Sequence, residues 1–131
     1  MKNILIDTSV WVEYFKGNPL VASMVNERED YSVYITGPVI TELIQGLKTE
    51  KEKDIFANSL ESLPRLIVSD QDWFDAGLFG AQLRSKGITV PLADLIIYTV
   101  ARNSNCSICT LDQHFNTIDN TLGPKVEILG L

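Results

Sequence analysis

Lys2-Asn3-Ile4-Leu5-Ile6-Asp7-Thr8-Ser9 is the stretch that decides the fold: an apolar run ends at a carboxylate, two hydroxyl residues follow, and a helical pattern then begins. Such a run predicts a buried first strand. In an open parallel α/β sheet, ligands bind beyond the carboxyl ends of the strands, which makes Asp7 a candidate site residue. The alternative is that Asp7 caps the following helix, since its side chain can accept unpaired amide protons of the first turn.

The rest of the chain alternates between short apolar stretches and helical patterns. Further strands are predicted at 31–36, 64–68, 106–111 and 126–129, and helices at 10–16, 19–29, 37–47, 69–86 and 94–102, with another ending at 63. This alternation is typical of parallel strands joined by helical crossovers. We therefore predict one α/β domain over residues 1–131, a three-layer sandwich with a central, mostly parallel sheet of about five strands.

Composition excludes several classes of protein. With 17 acidic and 11 basic residues, the net charge of −6 disfavours a broad basic surface for nucleic acid, although metal ions could neutralise an acidic site. The N-terminal residues show no signal-peptide pattern, and no apolar run is long enough to span a membrane. We expect a cytoplasmic protein with no membrane partner.

Two cysteines form a CxxC pair, a pattern also found in zinc and redox sites. If 106–111 is a strand, Cys106 and Cys109 point to opposite faces and cannot hold one metal. The only histidine, His114, leaves too few ligands for a closed zinc site. We expect two buried thiols.

Acidic residues recur at equivalent places in the predicted topology. Asp7 and Asp112 directly follow strands, whereas Glu42 and Asp94 lie in the opening turns of helices. Glu42 could instead favour the positive end of its helix, and Asp94 could cap one. Four such placements at one edge of the sheet are harder to attribute to chance.

Clustered carboxylates repel one another, so such a site favours hard divalent cations. All-oxygen ligation suits Mg²⁺ or Mn²⁺, which could support in-line phosphoryl displacement. Thr8, Ser9 and Thr110 could hydrogen-bond the carboxylates from behind. His114 is interpreted as a surface residue and is not included among the catalytic residues.

Four segments together resemble the PIN-domain family, and within it the VapC-type toxins of bacterial and archaeal toxin–antitoxin modules. They are Ile4-Leu5-Ile6-Asp7-Thr8-Ser9-Val10-Trp11, Ile40-Thr41-Glu42-Leu43, Pro91-Leu92-Ala93-Asp94-Leu95-Ile96 and Thr110-Leu111-Asp112-Gln113-His114-Phe115. The resemblance covers essentially the whole chain. It implies an endoribonuclease that hydrolyses RNA phosphodiester bonds with Mg²⁺ or Mn²⁺ held by Asp7, Glu42, Asp94 and Asp112.

The resemblance also implies a homodimer and a cognate antitoxin whose C-terminal segment covers the early helices and the acidic site. The helix 10–16 is apolar nearly all round, so it either is buried on every side or offers a face to a partner. Trp11, Tyr14 and Phe15 are therefore the predicted antitoxin contacts. Arg84, Lys86 and Arg102 are candidates for holding RNA phosphates.

The long helix 69–86 leaves its packing partner open. Trp73, Ala76, Gly77, Phe79, Gly80 and Leu83 mark its predicted packing side. Small residues on it, such as Gly77 and Gly80, would permit close approach of another helix, within the chain or across a dimer.

Two other functions compete with the nuclease. One is a catalytically inert PIN scaffold that only binds a partner, in which the acids are structural caps. The other is a receiver or phosphatase-like domain, which is weakened because the first strand ends in Asp7-Thr8-Ser9 rather than in an acidic pair.

Overall fold

A five-stranded parallel sheet forms the centre of the molecule. The computed structural model describes residues 2–27 and 30–130. The strands are β1 (Lys2–Ile6), β2 (Tyr31–Thr36), β3 (Arg65–Leu66), β4 (Ser107–Cys109) and β5 (Ile128–Leu129), in the spatial order β3-β2-β1-β4-β5. Every pairing is parallel.

Seven helices in the described part of the chain connect and cover these strands. They are α1 (Thr8–Phe15), α2 (Pro19–Glu27), α3 (Gly37–Gly46), α4 (Glu50–Leu60), α5 (Asp70–Ser85), α6 (Leu92–Asn103) and α7 (His114–Leu122). Residues 28 and 29, the predicted end of the second helix, lie outside the described residues.

Both faces of the sheet are covered. The consecutive residues Ile4, Leu5 and Ile6 of β1 are all buried, and successive side chains of a strand point to opposite faces. Helices must therefore pack on each side, which confirms the predicted three-layer α/β sandwich.

Helix α7 was not predicted from the sequence. Its apolar residues Phe115, Ile118 and Leu122 recur at helical spacing, and the first two are fully buried. The helix is short, so this periodicity was the only signal available.

Helix α5 packs differently from the prediction at two positions. Ala76 and Leu83 are buried as expected, but Trp73 and Gly77 are exposed. A Cβ added to Gly80 would lie 2.8 Å from Leu95 Cδ2 of α6, so this glycine permits close packing within the chain.

A buried tyrosine ties α6 to α7 and to the approach to β5. The Tyr98 hydroxyl donates a hydrogen bond to Asp119 Oδ1 (2.7 Å), which also accepts from the N–H groups of Lys125 and Val126. Burial and the Asp119 hydrogen bond raise the pKa of Tyr98 to about 12. This network fixes the C-terminal segment against the helical layer.

Arg102 belongs to the same network and not to the acidic edge. Its Nη1 donates to the Tyr98 hydroxyl (3.0 Å), and its guanidinium lies 4.9 Å from the centre of the Phe79 ring. It follows Asp94 on α6 by eight residues, a distance of about 12 Å along a helix. These contacts engage part of the Arg102 guanidinium within the fold, and its role in holding RNA phosphates stays a prediction.

The CxxC pair consists of two buried thiols that form no disulfide with each other, as predicted. Burial raises the pKa of Cys106, which keeps its sulfur in the unreactive thiol form. Cys109 Sγ lies 3.4 Å from Met24 Sδ in the core.

Candidate active site

The site lies where the strand order reverses. β1 pairs with β2 on one side and with β4 on the other, and connections from these strands leave in different directions. In open α/β sheets the crevice at such a point, beyond the strand carboxyl ends, is where ligands bind. Asp7 follows β1 and Asp112 comes shortly after β4, so both belong to this edge.

Asp7 is buried, with 4% of its surface exposed, and it is anchored by groups from α1 and from the end of β4. Its backbone N–H donates to the Cys109 carbonyl (2.9 Å), while its Oδ2 accepts from Ser9 Oγ and Thr110 Oγ1, both at 2.8 Å. Although Asp7 occupies the N-cap position of α1, its side chain makes no capping hydrogen bond. The helix-cap interpretation of this carboxylate is therefore wrong.

The hydroxyl residues join the loops that carry the acids. Ser9 Oγ accepts from the N–H of Leu111 (3.0 Å), and Thr110 Oγ1 accepts from the N–H of Asp112 (2.9 Å). Because a hydroxyl both donates and accepts, each one connects the Asp7 carboxylate to the backbone after β4. The orientation of Asp7 and the path of the chain towards Asp112 are fixed by the same bonds.

Glu42 joins the edge from α3. Thr8 Oγ1 donates to Glu42 Oε1 (2.9 Å), which links the start of α1 to α3. Glu42 lies beyond the first turn of α3, where the helix dipole no longer favours an acid strongly. Its position is therefore not explained by the helix end.

The carboxylates of Asp94 and Asp112 both lie beside the imidazole of His114, a residue that was not predicted to belong to the site. His114 Nδ1 lies 3.2 Å from Asp94 Oδ2 and 3.3 Å from Asp112 Oδ2. Asp112 uses its other oxygen, Oδ1, to accept from the His114 backbone N–H (2.9 Å). In the sequence, only the nearness of His114 to Asp112 pointed to the site. The contact of His114 with Asp94, which is distant in sequence, is seen only in the structure.

The pKa of Asp94 is raised, and the causes identify its neighbours. Burial is the largest cause, the His114 hydrogen bond opposes it, and the charges of Asp7, Asp112 and Glu42 add to the rise. Asp94 is therefore the acid on which the charges of the other three predicted site residues act. Asp94 and Asp112 also share a contact with His114 Nδ1.

The donor atoms fit a divalent cation. One atom each from Asp94, Asp112 and His114 lies within 4.8 Å of the others, and this is the group of that kind found among residues 2–27 and 30–130. Carboxylate oxygens and an imidazole nitrogen are common ligands of divalent metals. The separations are those of atoms that can share one ion.

The predicted antitoxin contacts lie on α1, but not all are accessible. Trp11 is 1% exposed and lies in the core, and its Nε1 has no partner among the described residues. Tyr14 and Phe15 are half-buried, and the Tyr14 hydroxyl donates to Asn26 Oδ1 (3.2 Å). Trp11 is therefore not available to a partner in this conformation, whereas Tyr14 and Phe15 retain some exposed surface.

Comparison with family models identifies the class of protein. The model described as "PIN domain" matches residues 4–120, most of the chain. The chain therefore belongs to the PIN-domain family, and the resemblance drawn from its four acidic segments is confirmed.

Proteins with similar sequences include VapC ribonucleases. Ribonuclease VapC11 of Mycobacterium tuberculosis is 28% identical over 121 residues, which cover 88% of this chain and 90% of that protein. A VapC ribonuclease of Mycobacterium bovis matches to the same extent.

Solved structures share the fold across nearly the whole chain. DNA-bound VapBC of Salmonella typhimurium aligns with a TM-score of 0.83 at 21% identity, over 99% of this chain and 98% of that one. VapC20 of Mycobacterium tuberculosis, described as a toxin that cleaves the sarcin–ricin loop, aligns with a TM-score of 0.68 at 15% identity, over 87% and 93% of the two chains. Among the residues described for the present chain, no helix is long and apolar enough to cross a membrane.

Proposed function

We propose that this protein is a metal-dependent endoribonuclease and the toxin of a type II toxin–antitoxin module. The observation that carries the proposal is that Asp94 Oδ2 and Asp112 Oδ2 lie 3.2 Å and 3.3 Å from His114 Nδ1, at a carboxylate whose pKa is raised by burial and by the charges of Asp7, Asp112 and Glu42. Neighbouring carboxylates repel one another, and a bound divalent cation would offset that repulsion. The names of the VapC relatives, which are ribonucleases, support the same activity.

The acids and the hydroxyl residues of the site would have different roles in binding and orienting the metal. Asp94 and Asp112 would hold the cation, and Asp7 and Glu42 would add negative charge around it. When bound, Mg²⁺ or Mn²⁺ would offset this charge, lower the pKa of an attacking water and stabilise the charge developing on the phosphate. Ser9 and Thr110 would keep Asp7 oriented through Oδ2, and Thr8 would do the same for Glu42.

The test is cleavage of a mixed RNA substrate by purified protein with Mg²⁺, with Mn²⁺ and with a chelator. We expect metal-dependent cleavage that falls by at least about a hundredfold in Asp94→Asn and Asp7→Asn. Asp54→Asn removes an exposed acid on α4 and should cleave normally. Full activity in a pure, folded Asp94→Asn or Asp7→Asn variant would refute the proposal.

The inert-scaffold alternative makes a different prediction, since structural acids would bind no metal with useful affinity. Calorimetric titration with Mn²⁺ separates the two. Binding that is weakened in Asp94→Asn supports the nuclease, and no binding by the parent protein supports the scaffold.

We infer that the antitoxin covers a groove between α3 and α4 together with the exposed side of α1. Ile40, Ile44, Leu47, Phe56 and Leu60 line this groove, together with the charged residues Lys53, Glu61 and Arg65. Such a lining suits an apolar segment. Ile44→Asp should abolish co-purification of a co-expressed cognate antitoxin, whereas Asn120→Asp, which adds the same charge at an exposed position on α7, should not; retained co-purification of Ile44→Asp would contradict the inference.

A further inference from the structure

His114 is the functional group at the acidic edge that the proposed function leaves unused. It is the only histidine in the chain. It begins α7, and its backbone N–H is bound by Asp112 Oδ1, so its main chain is held in place by one of the acids it faces.

Two carboxylate oxygens converge on one nitrogen. Asp94 Oδ2 and Asp112 Oδ2 lie 3.2 Å and 3.3 Å from the same Nδ1 atom. A single N–H cannot point straight at both oxygens, and a neutral imidazole carries at most one such proton. Hydrogen bonding therefore satisfies this arrangement only in part.

A cation bound by Nδ1 and both oxygens accounts for this arrangement better than hydrogen bonds do. At metal–ligand distances of about 2.1 Å, neighbouring donors of an octahedral ion lie about 3.0 Å apart. Both Nδ1–Oδ2 separations are close to this value. An imidazole protonated on Nε2 carries a lone pair at Nδ1, the atom near which both oxygens lie.

We propose that His114 is a metal ligand through Nδ1, and that it completes, with Asp94 and Asp112, a mixed nitrogen–oxygen site that prefers Mn²⁺ to Mg²⁺. The inference rests on the proposed metal-dependent function. Its chemical basis is that Mg²⁺ favours oxygen donors and retains its waters, whereas first-row transition ions accept imidazole nitrogen more readily.

The test uses Mn²⁺ bound to tag-free protein at one fixed, slightly alkaline pH, at which free imidazole is neutral. Pulsed electron paramagnetic resonance detects nitrogen coupled to the bound ion. Because the chain has one histidine, an imidazole signal can come only from His114. We expect the signal in the parent protein and in Gln113→Ala, an exposed neighbour, and its loss in His114→Ala.

Calorimetry of the same proteins gives a second readout. His114→Ala should weaken Mn²⁺ binding about tenfold and Mg²⁺ binding clearly less. Bound Mn²⁺ without an imidazole signal would overturn the inference while leaving the carboxylate site and the proposed nuclease intact. Equal or tighter binding of both ions by His114→Ala would also overturn it, since the imidazole would then compete with the metal. No Mn²⁺ binding by the parent protein would remove both proposals.

Discussion

At Asp94, the stability of the metal-free fold and the charge needed to bind a metal oppose each other. Its side chain is mostly shielded, beside three other acids, and its pKa is raised above the ordinary value of 3.8. The native protein therefore holds this proton more tightly than the unfolded chain does. The stabilisation from the proton is complete below about pH 3.8 and is lost as the pH rises through the raised pKa.

Asp94→Asn should consequently make the metal-free protein more stable at neutral pH. The amide carries no charge, so burial and the charges of Asp7, Asp112 and Glu42 no longer oppose folding. We expect the melting temperature in chelator to rise by a few degrees at pH 7 and the gain to shrink near pH 4. Differential scanning calorimetry at the two pH values measures both effects.

Asp54→Asn is the control, because it removes an exposed acid far from the cluster in sequence and should leave the melting temperature unchanged. Added Mn²⁺ should raise the melting temperature of the parent protein but not that of Asp94→Asn, since binding to the native state alone stabilises it. A lower melting temperature for metal-free Asp94→Asn would show that this carboxylate stabilises the fold.

At the scale of elements, α5 shows how local sequence sets a helix boundary. The Ser69 hydroxyl accepts from the Asp72 N–H, and the Asp72 carboxylate accepts from the Ser69 N–H, which forms a complete capping box. Asp72 Oδ1 also accepts from Asn103 Nδ2 (2.8 Å), so the cap fastens the start of α5 to the end of α6.

Ser69→Ala should lower the free energy of unfolding by about 1 kcal/mol, because it leaves an N–H of the first turn without its partner. Urea denaturation measures the change. Ser69→Gly is the matched variant and should cost only a few tenths of that, since glycine exposes the same N–H to water. Equal losses for alanine and glycine would contradict the capping role.

Elements with a local signal were predictable, and those that depend on distant partners were not. The apolar run before Asp7 and the proline at the start of α3 gave β1 and α3 from the sequence alone. Predicted strands were too long at β3 and β4, because pairing with neighbouring strands decides where a ladder ends.

The same distinction applies within the candidate site. The four acids were singled out because each follows a strand or lies in the early turns of a helix, and the topology predicts that such positions meet at one edge; their joint role stays a prediction. The approach of His114 to Asp94 was not predictable, because it depends on how α7 packs beside α6. It was also not predictable that the Asp7 carboxylate accepts hydrogen bonds from hydroxyl groups instead of capping α1.

At the scale of the whole molecule, α5 exposes large apolar side chains. Phe74 and Leu78, one turn apart on this helix, are 72% and 68% exposed, and the adjacent Trp73 is 53% exposed. Trp73 also lines a hollow with Leu92 and Glu42, so the α5 surface adjoins the acidic edge at Trp73. Apolar patches of this kind are typical of protein interfaces.

We expect a second copy of this chain to cover that surface, in agreement with the homodimer that the family resemblance implies. Phe74→Glu combined with Leu78→Glu would place two charges in the interface, where they would lose water without gaining partners. Light scattering coupled to size-exclusion chromatography should then report a dimer for the parent protein and a monomer for the double variant.

Leu20→Glu provides the matched control, because Leu20 is 76% exposed on α2 and its replacement adds the same charge away from α5. It should remain dimeric. A parent protein that is monomeric at high concentration, or a double variant that stays dimeric, would contradict the predicted interface. The α5 surface adjoins Glu42. If the partner chain shapes the acidic edge, a monomeric variant that still folds should bind Mn²⁺ with changed affinity. If each chain completes its own site, the affinity for Mn²⁺ should be unchanged.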